Sequence, residues 1–171
     1  MAMTEFRTVF GSLKDYTKGE IEIIDDDRKN YAFSNMFEVA SSSAPYERVV
    51  VGKNVEYVLE SIRAEGTSDW YTAAHDEFAL VMDGKVELDL VKLDDPQSIA
   101  PPGKEGAVKL DGEPAGRKMG LIKMGRGHQA LLPTGAAYRF RAPDPDAVGV
   151  ILMQTVLGEE SVEKWAEICY T

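Results

Sequence analysis

The sequence predicts an all-β protein built as an antiparallel sandwich or barrel. Short apolar and β-branched runs recur along its 171 residues, and Gly, Pro and Asp separate them. Residues 78–82 and 85–91 form two such runs around Asp83-Gly84, a pair that favours a two-residue type I′ turn because both positions need positive φ. The second run alternates apolar and charged residues, so one face should be buried and the other solvated. We therefore expect a β-hairpin here.

Further strands are predicted on both sides of this hairpin. The supporting apolar runs are 20–24, 47–51, 57–62, 119–124, 128–132, 138–141 and 148–154. Residues 94–120 differ, because four prolines and five glycines interrupt any periodicity. Loops of this length usually serve as lids or partner surfaces, or are disordered.

The C-terminal segment is predicted to be a short helix. Its apolar residues recur at i, i+3, i+4 and i+7, namely Val162, Trp165, Ala166 and Cys169. We expect one domain over 1–171, of a size that can bury a core of its own. Its parts would be an N-terminal arm (1–50), a barrel (51–156) and the terminal helix (158–170).

Composition limits the classes of partner and the compartment. The chain carries 19 Lys and Arg against 29 Asp and Glu, a net charge of -10 that repels nucleic acid and anionic lipid. A single cysteine excludes an internal disulfide and fits a reducing cytosol. The first residues lack the pattern of a signal peptide, and no apolar stretch approaches a membrane span. We expect a soluble, cytoplasmic protein.

Two spacings resemble the signature motifs of a known family. Glu77 is followed by six residues and then Gly84, and Gly127 is followed by five residues, Pro133, one residue and Gly135. These patterns resemble the end of motif one and the core of motif two of the cupin family. The resemblance implies a double-stranded β-helix, or jelly-roll, barrel.

The metal ligands of that family are missing. Cupin motif one has a His-x-His pair before its Glu, and motif two has a His three residues after its last Gly. Here the first pair of positions is Trp70 and Thr72, or Tyr71 and Ala73 on a shorter spacing, and the last position is Tyr138. We therefore predict no metal in this chain.

Four residues are candidates for lining a substrate pocket: Trp70, Thr72, His75 and Tyr138. On the longer spacing, Trp70, Thr72 and Tyr138 would face the barrel interior. Trp70 would lie near the barrel mouth, where an aromatic ring can stack on a planar ligand. The alternative is that these bulky residues only pack a core, with His75 hydrogen-bonded near the mouth. No catalytic residue is expected.

Five stretches spread over nearly the whole chain carry a more specific resemblance. They are 10–18, 30–38, 75–80, 127–133 and 162–168. With them the chain resembles the small subunit of two-component hydroquinone 1,2-dioxygenases. That resemblance implies ring cleavage of hydroquinone, an aromatic diol, to 4-hydroxymuconic semialdehyde with O2. It also implies a heterotetramer of two small and two large subunits, with Fe(II) in the large cupin-type subunit.

Under that resemblance the chain has a structural, pocket-completing role and is inactive alone. Two alternatives remain open. One is an independent metallocupin, in which His75, Glu77 and His128 supply the two imidazoles and one carboxylate suited to non-haem iron. The other is a metal-free cupin module that binds a small aromatic molecule or a sugar and has no partner chain.

Overall fold

The structure, a computed structural model, describes residues 35–53 and 56–156. Two five-stranded antiparallel sheets form most of this part of the protein. The elements are α1 (Met36–Ser42), β1 (Val49–Lys53), β2 (Tyr57–Ala64), β3 (Tyr71–Ala73), β4 (Glu77–Asp83), β5 (Lys85–Leu93), β6 (Ala107–Lys109), β7 (Gly116–Gly125), β8 (Gln129–Leu132), β9 (Ala136–Arg141) and β10 (Gly149–Val156).

The chain crosses repeatedly from one sheet to the other. The first sheet has the strand order β1-β2-β10-β4-β8, and the second has the order β6-β3-β9-β5-β7. Apart from β1 and β2, neighbouring strands in each sheet are not consecutive in the sequence, which is the connectivity of a jelly roll. The predicted all-β class is confirmed.

The main core lies between the two sheets. Ile62, Val81 and Ile151 enter it from the first sheet, and Leu88 and Phe140 enter it from the second. All five are at most 2% exposed. Because side chains alternate along a strand, the residues between them point outward, and the two outer faces become the surfaces on which function can be built.

The predicted hairpin at Asp83-Gly84 is wrong, although both of its strands exist. β4 pairs with β10 and β8, whereas β5 pairs with β7 and β9, so the two strands belong to different sheets. Only Gly84 has positive φ (75°) at this point, where a type I′ turn would need two such residues. Gly84 is a one-residue corner between the sheets.

The segment 94–120 is more ordered than a loop. It contains a short 3-10 turn at Pro96–Ser98, strand β6 and the first half of β7. Its glycines and prolines conceal these elements, because β6 is only three residues long and its pairing partner β3 lies more than 30 residues earlier.

The described part of the arm, 35–50, packs against the barrel. The Asn35 side chain accepts a hydrogen bond from the Phe37 N–H (2.9 Å) and begins α1. Phe37 and Ala40 then cover Val150 on the outer face of the first sheet. The predicted strand at 20–24 and helix at 158–170 lie outside the described residues, so the division into arm, barrel and helix stays a prediction.

The α-helix in the described ranges has seven residues, and no helix in these ranges is long and apolar enough to cross a membrane.

We expect Gly84→Ala to destabilise the fold more than Gly103→Ala does. Both glycines have positive φ, 75° and 82°, so each substitution carries a backbone cost of about 1–2 kcal/mol. A Cβ at Gly84 would also lie 2.8 Å from Gly149 Cα, whereas nothing lies within 4 Å at Gly103. Overpacking should add about 1–3 kcal/mol to the loss of unfolding free energy, measured by urea denaturation. Equal losses would contradict the crowded corner.

Candidate functional site

Tyr71 faces the interior of the barrel at the position of a lost ligand. It pairs with Tyr138 across β3 and β9, and paired residues lie on the same face of a sheet. The two rings are stacked with centroids 6.2 Å apart, and both contact the main core. The shorter motif spacing therefore holds, and Tyr71 and Ala73 occupy the positions of the His-x-His pair.

Trp70 and Thr72 lie on the opposite face of β3. Trp70 packs with Leu93 and Ala137 outside the main core, and the Thr72 hydroxyl donates a hydrogen bond to the Ala136 carbonyl (2.8 Å). The prediction that both face the barrel interior is wrong, because a one-residue change in motif spacing exchanges the two faces of a strand. Tyr138 does face the interior, as expected, and is 1% exposed.

A guanidinium joins Tyr138 inside the barrel. Arg48, just before β1, donates a hydrogen bond from Nη2 to the Tyr138 hydroxyl (2.8 Å), and its Nη1 lies 3.1 Å from Glu60 Oε2. The Tyr138 hydroxyl donates in turn to Glu77 Oε2 (2.6 Å). The guanidinium also lies over the Tyr71 ring, 4.4 Å from its centroid. We call these five residues the Arg48 cluster.

The Arg48 cluster is a buried charge network. Glu60 and Glu77 are 2% and 0% exposed, and buried carboxylates need a cation close by. Burial alone would lower the pKa of Arg48, but Tyr138, Glu60 and Glu77 outweigh it and raise that pKa above its usual range. Burial also raises the pKa of Tyr138 well above its usual value, with Arg48 opposing and Glu77 adding to the rise. Tyr138 therefore stays protonated and donates a hydrogen bond to Glu77.

The residues of this cluster do not fit a bound iron. Glu77 alone retains a family ligand position, and its Oε1 accepts no hydrogen bond within the described part of the protein. The Arg48 guanidinium already brings positive charge to the site, so a metal cation there would be repelled. Across residues 35–53 and 56–156, no three His, Cys, Asp or Glu side chains come together as a possible metal site.

The structure separates the histidines of the metallocupin alternative. His75 Nε2 lies 3.0 Å from Thr155 Oγ1 and accepts a hydrogen bond from the Val156 N–H (3.2 Å) at the end of β10. His128 is exposed in the turn after β7, where its Nδ1 accepts from the Gly125 N–H (2.9 Å). Both imidazoles thus hold backbone groups at strand ends.

A second cluster surrounds Trp70 on the outer face of the second sheet. The indole Nε1–H donates to Glu113 Oε2 (3.0 Å), and the Arg139 guanidinium lies 4.4 Å from the centroid of the indole. Arg139 Nη1 donates to Glu113 Oε1 (3.2 Å), and Nη2 donates to Asp89 Oδ2 (3.3 Å). We call Trp70, Asp89, Glu113 and Arg139 the Trp70 cluster.

Residues 110–115 form a strap across this face. They join β6 to β7, the two opposite edges of the second sheet. Leu110 N–H donates to the Trp70 carbonyl (2.9 Å), and Asp94 N–H donates to the Ala115 carbonyl (3.1 Å), so both ends are tied. The strap covers Trp70, which is only 7% exposed, and borders a concavity of about 630 Å³ that reaches Ser98 and Ile99.

The first sheet carries an apolar row on its own outer face. Leu59, Phe78 and Leu131 lie on β2, β4 and β8 and are 39%, 49% and 45% exposed, with Gln154 of β10 between Leu59 and Phe78. Leu59, Phe78 and Gln154 border a shallow groove of about 260 Å³. The row extends the surface that α1 covers, and no other described element packs on it.

The sequence-predicted candidates thus do not form one site. Tyr138 is in the interior, Trp70 and Thr72 are on the outer face of the second sheet, and His75 is at the end of β10. Sequence reasoning missed Arg48, Glu60, Glu113 and Arg139. The sequence did contain a signal for Glu60, because this residue has the same alternation on β2 as the core-facing Val58 and Ile62. A carboxylate that faces the core requires a buried cation nearby.

Comparison with protein-family models found no match, and comparison with curated proteins found none either. Solved structures do match. The chain is 57% identical to a hydroquinone 1,2-dioxygenase from Sphingomonas sp. TTNP3 with 4-hydroxybenzoate bound, over 96% of this chain and 98% of that chain, with a TM-score of 0.87. It is 54% identical to hydroquinone 1,2-dioxygenase PnpCD in complex with Cd2+ and 4-hydroxybenzonitrile, over 98% and 99%, with a TM-score of 0.85.

A longer chain of PnpCD has the same fold. In its complex with Fe3+, that chain matches 91% of this one over only 42% of its own length, with a TM-score of 0.59 and 10% identity. PnpCD therefore contains chains of two lengths, one near that of this protein and one more than twice as long. The likeness to the longer chain is one of fold alone.

A jelly roll that keeps remnants of both signature motifs is a cupin. In this cupin the positions of the three family histidines hold tyrosine and alanine. Identities above 50% over nearly the full length of both chains show that this protein belongs to the hydroquinone 1,2-dioxygenase family. The resemblance to the small subunit is confirmed, since the chains matched at these identities have nearly its own length. The chain is accordingly a ring-cleaving dioxygenase subunit by similarity.

We expect Arg48→Ala to reduce the free energy of unfolding by about 3–5 kcal/mol, because it leaves buried carboxylates without their cation. The matched control is Arg126→Ala, which removes a shorter ion pair (2.6 Å to Asp83) at a half-exposed site. Exposed pairs contribute about 0–1 kcal/mol. Urea denaturation of both variants measures the difference, and similar losses would show that the Arg48 cluster does not stabilise the barrel.

Proposed function

We propose that this chain is the small, non-iron-binding subunit of a two-component dioxygenase that converts hydroquinone to 4-hydroxymuconic semialdehyde with O2. In this proposal Fe(II) is held by a large cupin-type subunit, and two small and two large subunits form a cytoplasmic heterotetramer. The observation that supports it best is the Arg48 guanidinium, which takes the place of a cation beside Glu77.

The chemistry of the interior favours this division of roles. Non-haem Fe(II) needs neutral imidazoles with a carboxylate and open positions for O2 and substrate. Here the corresponding positions hold Tyr71, Ala73 and Tyr138, and Tyr138 already bonds to both Arg48 and Glu77. Ring cleavage therefore requires a metal from another chain. The longer PnpCD chain, which shares the fold and comes from a complex with Fe3+, is the kind of partner that could hold it.

The ligands of the relatives indicate the substrate class. The Sphingomonas protein has 4-hydroxybenzoate bound, and PnpCD has 4-hydroxybenzonitrile bound. Both are planar phenols with a para substituent, as hydroquinone is. A flat ring of this kind is recognised by stacking on an aromatic side chain and by hydrogen bonds to its hydroxyl groups.

Trp70 is the residue of this chain that we propose to complete the pocket. Because it lies on the outer face of the second sheet, this role requires that face to turn toward the large subunit. Leu121 of the edge strand β7 lies on the same face, since it pairs with Asp89, and is 40% exposed. Thr72 and Tyr138 would contribute through packing below the pocket, and His75 by holding the end of β10.

The apolar row on the first sheet suits a second contact. An assembly of two small and two large subunits needs more than one kind of interface. Leu59, Phe78 and Leu131 expose a patch without charge on the side of the barrel opposite Trp70. In this proposal the Trp70 face meets the iron-bearing subunit, and the row meets another subunit of the assembly.

Expressed alone, the chain is expected to bind no stoichiometric Fe(II) and to show no hydroquinone cleavage, because its interior offers iron no imidazole ligand. Co-expression with a large cupin subunit should restore both. Metal analysis and the absorbance of the ring-cleavage product are the measurements. Iron and turnover in the isolated chain would overturn the proposal, and a ligand-binding homodimer without a partner would favour the metal-free binding module.

In the assembled complex, Trp70→Ala is expected to raise KM for hydroquinone about 2- to 10-fold, the loss that a single aromatic stacking contact predicts. Arg126→Ala, which removes an exposed side chain in the turn after β7, is the control and should leave KM unchanged. Because Trp70 is largely buried, Trp70→Leu tests whether a packed but non-aromatic side chain is sufficient. Unchanged kinetics in both Trp70 variants would remove the residue from the pocket.

A further inference from the structure

We propose that Glu113 is a positioning residue for Trp70, which fixes the orientation of the indole ring together with Arg139. The inference rests on the proposed function, in which Trp70 meets the substrate at the subunit interface. It adds that the ring is oriented by the strap of its own chain before a partner or substrate binds.

The two oxygens of the Glu113 carboxylate have separate tasks. Oε2 accepts the Trp70 indole N–H (3.0 Å), and Oε1 accepts Arg139 Nη1 (3.2 Å). The indole N–H is the only polar group of a tryptophan side chain, so this bond distinguishes the observed ring orientation from the flipped one. A flipped ring would leave both the N–H and Glu113 Oε2 without this contact.

Arg139 fixes the face of the same ring. Its guanidinium lies 4.4 Å from the indole centroid, within the range of a cation–π interaction. Asp89 on the neighbouring strand β5 holds the second guanidinium nitrogen (3.3 Å), so Arg139 is restrained from both sides. Glu113 acts on one edge of the indole and Arg139 on one face, and Leu93 and Leu110 belong to the same apolar cluster as the ring.

The stability of an exposed ion pair does not explain this arrangement. The Glu113 side chain is 78% exposed, and an ion pair with such a carboxylate contributes little to folding. Its placement depends on the strap, whose Leu110 N–H is bonded to the Trp70 carbonyl (2.9 Å). The strap therefore contacts both the main chain and the side chain of Trp70, and what it provides is geometry.

Geometry matters because ring cleavage needs the substrate held in register with the metal-bearing site. A displaced positioning group lowers the rate of a reaction more than it weakens binding, and a shift of about 1 Å can cost about 100-fold. A misoriented indole should still stack on an aromatic ring, but at the wrong angle. The effect of losing Glu113 is thus expected in kcat more than in KM.

The experiment uses the assembled complex in a Trp165→Phe background, which leaves Trp70 as the only tryptophan of this chain. Glu113→Ala removes the acceptor, Glu113→Gln keeps an acceptor oxygen without the charge, and Glu105→Ala is the matched control at an exposed glutamate of the same segment. Acrylamide quenching of this chain's Trp70 fluorescence, with the partner's tryptophans subtracted using a Trp70→Phe complex, reports the ring. Steady-state kinetics report kcat and KM.

Glu113→Ala is expected to raise the quenching constant of Trp70 about 2-fold, since the ring loses its edge restraint, and to lower kcat by about 10-fold with little change in KM. Glu113→Gln should restore most of both values, and Glu105→Ala should match the parent.

Unchanged quenching in Glu113→Ala would overturn the inference, whatever the kinetics show. Changed quenching with unchanged kinetics, in a complex whose Trp70→Ala variant is impaired, would overturn it too, because orientation would then not matter to turnover. If quenching changes but Glu113→Ala and Trp70→Ala both keep the parent's kinetics, the restraint on the ring is upheld and the proposed role of Trp70 is overturned instead. The two hypotheses therefore fail separately.

Discussion

The hydrogen-bonded line from Arg48 through Tyr138 to Glu77 is the interaction on which the interior of this protein depends. Glu60 and Glu77 place two carboxylates between sheets that are otherwise packed with apolar side chains. Without a cation their burial would be unfavourable, and Arg48 supplies that cation from the segment that leads into β1. The guanidinium stacks on Tyr71 as well, so the residues at two former ligand positions become its supports. Where metal-binding cupins have a coordination site, this chain has an ion-pair site.

Sequence reasoning reached the fold because the motif remnants report local geometry. The Glu77-to-Gly84 spacing describes one strand and the corner after it, and strand alternation in 85–91 describes one buried face. It failed where distant pairing decides the outcome. The sequence around Gly84 is that of a hairpin, but β4 pairs with β10 and β5 pairs with β9 in a different sheet. No local sequence signal indicates these distant partners. Trp70 and Tyr71 exchange faces on a single residue of spacing, and Arg48 meets Tyr138 across 90 positions.

In the proposed assembly, this barrel contributes through its outer faces rather than through its interior. The interior is closed by a buried charge network, whereas the outer face of the second sheet holds a largely buried aromatic ring between Glu113 and Arg139. The first sheet adds an apolar row beside α1. In that proposal, a cupin without a metal of its own supports a metal in a neighbouring barrel, and its outer faces supply the contacts.

The strap over Trp70 has little length to spare. It must span four inter-strand spacings from β6 to β7, about 19 Å at roughly 4.8 Å each. The seven steps from Lys109 to Gly116 reach about 24 Å when fully extended. The surplus amounts to one or two residues, too little for a lid that swings clear of the sheet. Evolution can change the side chains of this crossing but can hardly shorten it, so access to the indole is confined to the small part of the ring that the strap leaves uncovered.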